Sequence, residues 1–97
     1  MYAGVGYNRI TASGVVGNSG HPVAIHTLHI ESKAGGPGIV TLYDGTSTSG
    51  TKTNTEKGAT NQGQSFIYTR GLVHPSGLYV NLDTNTNAAI VWFEMLG

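Results

Sequence analysis

Few residues in this chain have types and spacings that could do chemistry. His26 and His29 form an H-x-x-H pair, which on a helix would aim both rings at one metal ion. On a strand the same spacing turns them to opposite faces, and period-two alternation then separates the ligands. His21 shares parity with His29 but lies beyond Pro22. First-row metal sites need roughly three or four convergent ligands, so these histidines read as packing or interface residues. Asp83-x-Asn85-x-Asn87 has the oxygen spacing of a calcium loop, with Glu94 at its last ligand position. The glycine that such a loop needs at its sharp turn is replaced by Ala88, and Glu94 falls inside a strand. An Asx-rich turn is the expected structure there.

Nucleophilic catalysis finds equally little. Ser19-Gly20-His21 and His74-Pro75-Ser76 bring hydroxyl and imidazole close in sequence, but in turns and without an orienting acid. No paired carboxylates, phosphate loop or dinucleotide fingerprint occurs. The reading assigns no catalytic residue, no metal ligand and no cofactor, and it does not expect an enzyme.

The aromatic residues are the better candidates for contact. Tyr2, Tyr7, Tyr43, Tyr68, Tyr79 and Trp92 could line a sugar platform or a protein interface. Tyrosine suits interfaces because one end is apolar and the other polar. Alternation sets Tyr79 opposite Leu78 and Val80, hence outward, and aligns Trp92 with Ile90 as core or inter-sheet packing. The interface residues expected are Tyr2, Tyr7, Arg9 and Tyr79.

The elements that must position these residues are strands. Gly, Thr, Val and Ile interrupt every window that could be helical. Short strand-like segments alternate with turns such as Gly17-Asn18-Ser19-Gly20 and Asp44-Gly45. Tyr7 to Val16 reads as a strand kinked at Ser13-Gly14, Val23 to Glu31 as a central strand apolar on both faces, and Thr51 to Glu56 as a polar edge. The expected fold is all-β: one β-sandwich of jelly-roll type with seven to eight short antiparallel strands and no significant helix. Residues 1–8 are read as an N-terminal arm and 9–97 as the sandwich domain.

Composition narrows the partners. The chain has 97 residues and no cysteine, so its modest core has no covalent reinforcement. Domains of this kind often gain stability by oligomerising or docking. Charged residues are 10% of the chain and net charge is zero, while Thr, Ser, Asn and Gly make up 41 residues. Short uncharged groups lose little side-chain entropy when covered. Arg9, Lys33, Lys52, Lys57 and Arg70 are scattered, which argues against nucleic acid. No apolar run reaches the ~18 residues of a membrane span, no basic-apolar leader precedes the strands, and no Asn-x-Ser/Thr sequon occurs.

Gly38-Ile39-Val40-Thr41-Leu42-Tyr43-Asp44-Gly45-Thr46, then Ser49-Gly50-Thr51-Lys52, Gly77-Leu78-Tyr79-Val80-Asn81-Leu82 and Ala88-Ala89-Ile90-Val91-Trp92-Phe93 give the chain a familiar outline. It resembles small β-sandwich or jelly-roll virion proteins of tailed bacteriophages, over most of the stretch from Ala24 to Glu94. The resemblance implies a structural protein, a decoration (cement) protein that binds the major capsid protein lattice as an oligomer, often a trimer. It implies residence on the virion's capsid surface after assembly in the host cytoplasm, with no catalytic residues. The alternative expectation is a receptor- or glycan-binding module of a phage fibre or tail.

Overall fold

The computed structural model describes residues 6–96, which form eight strands and no helix. In chain order they are β1 (Gly6–Ile10), β2 (Gly14–Val16), β3 (Val23–Ser32), β4 (Ile39–Asp44), β5 (Thr51–Lys57), β6 (Gly63–His74), β7 (Leu78–Leu82) and β8 (Thr86–Met95). They make two four-stranded antiparallel sheets, ordered β1-β8-β3-β6 and β2-β7-β4-β5. The pairs β1·β8, β2·β7, β3·β6 and β4·β5 are nested around the β4–β5 turn. That nesting is a long hairpin rolled up on itself, the jelly-roll arrangement of a β-sandwich.

β1 and β2 are one strand bent at 11–13 so that it leaves one sheet and joins the edge of the other. The bend lies one residue from the kink read at Ser13-Gly14. Residues 6–8, assigned to an arm by the sequence, belong instead to β1, where Gly6, Tyr7 and Asn8 pair with Phe93, Trp92 and Val91. The earlier part of that arm, including Tyr2, lies outside the described residues.

The core between the sheets holds Val23, Ile25, Leu28, Ile30, Ala89 and Val91 from one side and Val16, Val40, Leu42, Leu78 and Val80 from the other, nearly all fully buried. The two apolar parities of β3 have a simple cause. A bulge between Ile25 and Thr27 adds one residue, so Val23 and Ile25 point inward before it and Leu28 and Ile30 after it. On β6 the matching break is larger: four residues, 68–71, stand between Ile67 and Leu72 where β3 supplies His26 alone. Gly71 lies there with φ +76°, and a Cβ on it would come within 3.2 Å of the His26 ring.

Candidate functional site

The bulge in β3 changes where the histidines go. Ala24 pairs with Glu94, and His26 Nε2 lies 3.2 Å from Glu94 Oε1, which accepts its hydrogen bond on the outer face of the sheet. His29 pairs with Ile90 and Ser65, with Nδ1 2.8 Å from Ser65 Oγ, on that same outer face. Strict alternation had set the two rings on opposite faces, and the extra residue cancels it. Among the described residues no group of three or more His, Asp or Glu converges on one point.

Trp92 also sits differently from the sequence reading. Val91 is fully buried and Phe93 and Met95 pack on the core, so Ile90, Trp92 and Glu94 face out. Both parities of β8 are apolar, and only pairing with β1 and β3 decides between them. The result is a cross-strand row Tyr7–Trp92–Thr27–Ile67 on the outer face. Next to it runs the row Arg9–Ile90–His29–Ser65. The Tyr7 and Trp92 rings lie 6.2 Å apart, a tilted contact within the range of favourable aromatic pairs.

This outer face exposes large apolar groups. Tyr7 is 68% exposed, Ile67 74% and Val73 51%, with Trp92 and Ile90 partly exposed between them. Of its charged groups, Glu94 is held by His26 and Arg9 by Glu31. Arg9 donates to both Glu31 oxygens, at 3.0 and 3.3 Å, across the intervening β8. Those hydrogen bonds hold the Glu31 carboxyl below its ordinary range. Exposed apolar groups are common singly on a folded chain; here several fall on one face of one sheet.

The opposite outer face differs. Val15, Tyr79, Tyr43 and Lys52 form its principal row, bordered by Thr41, Asn81 and Thr55. Tyr79 is outward as expected, and its ring meets Tyr43 edge-on at 6.3 Å, leaving both half-buried. Tyr7 and Arg9 therefore share one face and Tyr79 lies on the other. The three described residues expected at an interface therefore do not form a single site.

Two polar clusters were not foreseen. His74 is fully buried, its Nδ1–H donated to Leu72 O at 3.0 Å and its Nε2 2.7 Å from Thr53 Oγ1. Burial lowers its pKa, despite the Leu72 carbonyl and the nearby Asp44 charge. Hydroxyl and imidazole thus meet as in a nucleophile–base pair, but the imidazole has no surface open to a substrate. Tyr68, lifted out of register by the β6 bulge, donates to Glu56 Oε2 at 2.8 Å on β5 of the other sheet. Burial, with the Glu56 carboxylate alongside, pushes the phenol well above its ordinary pKa. Both clusters join β5 to β6, and they could not be found from sequence because their partners are distant in the chain.

The Asp83 turn is also structural. Its Oδ1 accepts from Ile39 N–H at 3.0 Å, Asn85 N–H at 3.2 Å and the Thr86 hydroxyl at 2.8 Å. Partial burial opposes ionisation, but these bonds outweigh it and the carboxyl lies below its usual range. At the same end of the sandwich, Glu31, Lys33, Asn61, Gln62 and Asn87 line an open polar cleft of about 430 Å³.

No protein-family model matches the chain, and no curated protein does. Among solved structures it is similar to a chain from Bacillus endospore appendages, described as a novel family of disulfide-linked pili. The likeness covers all of this chain and 93% of that one, with a TM-score of 0.50 at 14% identity. It is a likeness of fold, and it agrees with an all-β sandwich.

Proposed function

We propose that this chain is a non-catalytic structural module, one that docks on other protein subunits of a large assembly through the outer face of the β1-β8-β3-β6 sheet. The observation that carries this reading is the apolar group Tyr7, Ile67, Val73, Trp92 and Ile90 on that face. Thr27, His29 and Ser65 lie among them, and Arg9 is already matched by Glu31. A partner covering the centre of the face removes apolar area from water while Arg9 stays matched by Glu31. The assembly favoured is a phage head, following the sequence resemblance, with this chain as an oligomeric decoration protein on the capsid lattice. The appendage chain of similar fold belongs to disulfide-linked pili. A cysteine-free chain cannot be linked in that way, so its attachment must be non-covalent in that respect.

The test is co-purification with particles. Wild-type protein supplied to heads lacking it should band with them in a density gradient. A Trp92→Ser, Ile67→Ser double variant should stay at the top while keeping its fold by circular dichroism. Equal banding of both proteins would remove the face from the account, and no banding of wild type would remove the capsid reading.

A saccharide-binding role has one observation in its favour: the Tyr43–Tyr79 pair bordered by Thr41 and Asn81 on the other face. Its signature would be glycan-array binding lost in Tyr79→Ala and unaffected by Trp92→Ser.

A further inference from the structure

The sandwich has four strand edges, and they are protected very unequally. β6 is broken by the 68–71 bulge, which spoils a straight hydrogen-bonding edge. β5 carries Lys52, Glu56 and Lys57 and has its own bulge at Thr53. β2 is only three residues long, and beyond it the Ser13 hydroxyl takes the Leu82 N–H at 2.8 Å. Among the described residues β1 has none of these devices: Gly6–Ile10 pair with β8 in unbroken register. Its one charge, Arg9, reaches across β8 to Glu31, and Tyr7 packs against Trp92, so both side chains lie over their own sheet. Among the described residues no strand pairs with its outer edge.

We infer that β1 joins two copies of this chain, antiparallel about a twofold axis at Asn8. Asn8 is the middle of the described residues Gly6–Ile10, so this register pairs all of them. It sets Gly6 opposite the second copy's Ile10 and the two Asn8 amides opposite each other, where they can hydrogen-bond. Tyr7 falls opposite the second copy's Arg9, and because each lies over its own sheet neither obstructs the pairing. The two Arg9 residues stay out of direct opposition, whereas an axis at Arg9 would set like charges face to face. The pair of chains then shares one eight-stranded sheet, and the apolar rows of the two outer faces become continuous.

The inference goes beyond the docking face and does not require it. A five-residue edge buries well under the ~1,200 Å² of a standard interface, so the contact is weak in dilute solution. It gains where a lattice holds copies side by side. A twofold edge also closes on itself, giving a dimer where the resemblance implies a trimer.

Because the chain has no cysteine, single-cysteine variants report the register cleanly. Asn8 is exposed, so Asn8→Cys preserves the fold. Directly opposed residues have Cβ atoms roughly 4.5–5.5 Å apart, close enough for oxidation or a short bismaleimide to link them. Asn8→Cys should form covalent dimers at least about ten-fold faster than Ile67→Cys, an exposed site on the opposite edge that reports random collision. Tyr7→Cys and Arg9→Cys should be slower than Asn8→Cys. A rate for Asn8→Cys no greater than for Ile67→Cys would overturn the edge, and fastest linkage at Arg9→Cys would overturn the register. Light scattering that shows a trimer for uncross-linked protein at high concentration would also contradict it. Particle banding that persists without cross-linking would leave the docking face intact, so the two proposals fail separately.

Discussion

The two long sides of the sandwich are built differently. On the β5/β6 side, polar side chains cross from sheet to sheet: Tyr68 to Glu56, and buried His74 to Thr53. On the β1/β2 side the sheets are joined by the bent chain at 11–13, and the side-chain bonds run within a sheet, Arg9 to Glu31 and Ser13 to Asn81. A small domain without disulfides has few means of holding two sheets together. This one concentrates its side-chain links between β5 and β6 on one side and leaves an unblocked strand, with Tyr7 exposed, on the other. The first side ties the two sheets together, and the second is where the proposed strand pairing falls.

The largest effect on stability is expected from His74→Ala. It leaves a cavity and strips partners from the Thr53 hydroxyl and the Leu72 carbonyl, a loss of about 3 kcal/mol in chemical denaturation. A change under about 0.5 kcal/mol, the usual range for surface substitutions, would mean that the buried imidazole does not hold this side together. Tyr68→Phe should lose about 1–2 kcal/mol, since only the half-buried bond to the Glu56 carboxylate is removed. Restoring stability by adding Glu56→Gln to Tyr68→Phe would show that the loss came from the stranded carboxylate.

A pH titration sharpens the same contrast. The folded pKa of His74 is lowered, chiefly by burial, so its neutral form favours the native state. Stability should be full above the unfolded value of about 6.5 and fall as pH drops from there toward the folded value. Protonation need not break the local bonds. Nε2 would become a donor to Thr53 Oγ1, and the Thr53 proton would turn to Leu42 O, 3.1 Å away. The loss therefore reflects a buried charge, partly offset by Asp44. His74→Gln should flatten this part of the stability profile relative to wild type; an unchanged slope would assign it to other groups.

The smallest effect belongs to the open side. Arg9→Ala should leave the denaturation midpoint unmoved, because exposed ion pairs contribute little. The same variant should leave the cross-linking rate of Asn8→Cys unchanged, because the Arg9 side chain lies over its own sheet and away from the edge. A large fall in stability would place Arg9 among the links that hold the fold.

Much of this arrangement was legible in the sequence. Clean alternation at Leu78, Val80 and Leu82 and the Asp44-Gly45 turn identify β7 and the β4 end without knowledge of their neighbours. β3 and β8 resisted because both their parities are apolar. In β3 a bulge explains this, and in β8 a partly covered outer face does. Neither is encoded locally: the bulge shows only in the register against β6 and β8, and the exposure of Trp92 only once β1 is its neighbour. For the same reason the histidine parity argument failed, and the Tyr68 and His74 links were out of reach. Tyr7 and Arg9, expected at an interface together with Tyr79, share one outer face while Tyr79 lies on the other, which only the sheet topology reveals.

Trp92 is the chain's single tryptophan and stands in the middle of the proposed docking face, which makes it a direct reporter. The decisive measurement is acrylamide quenching of its fluorescence in the free protein and in particles carrying the bound protein. Trp92 should be readily quenched in the free protein and markedly protected, with a blue-shifted emission, in the bound one. Equal quenching in both states, with binding demonstrated, would contradict the central claim that this face is the one a partner covers.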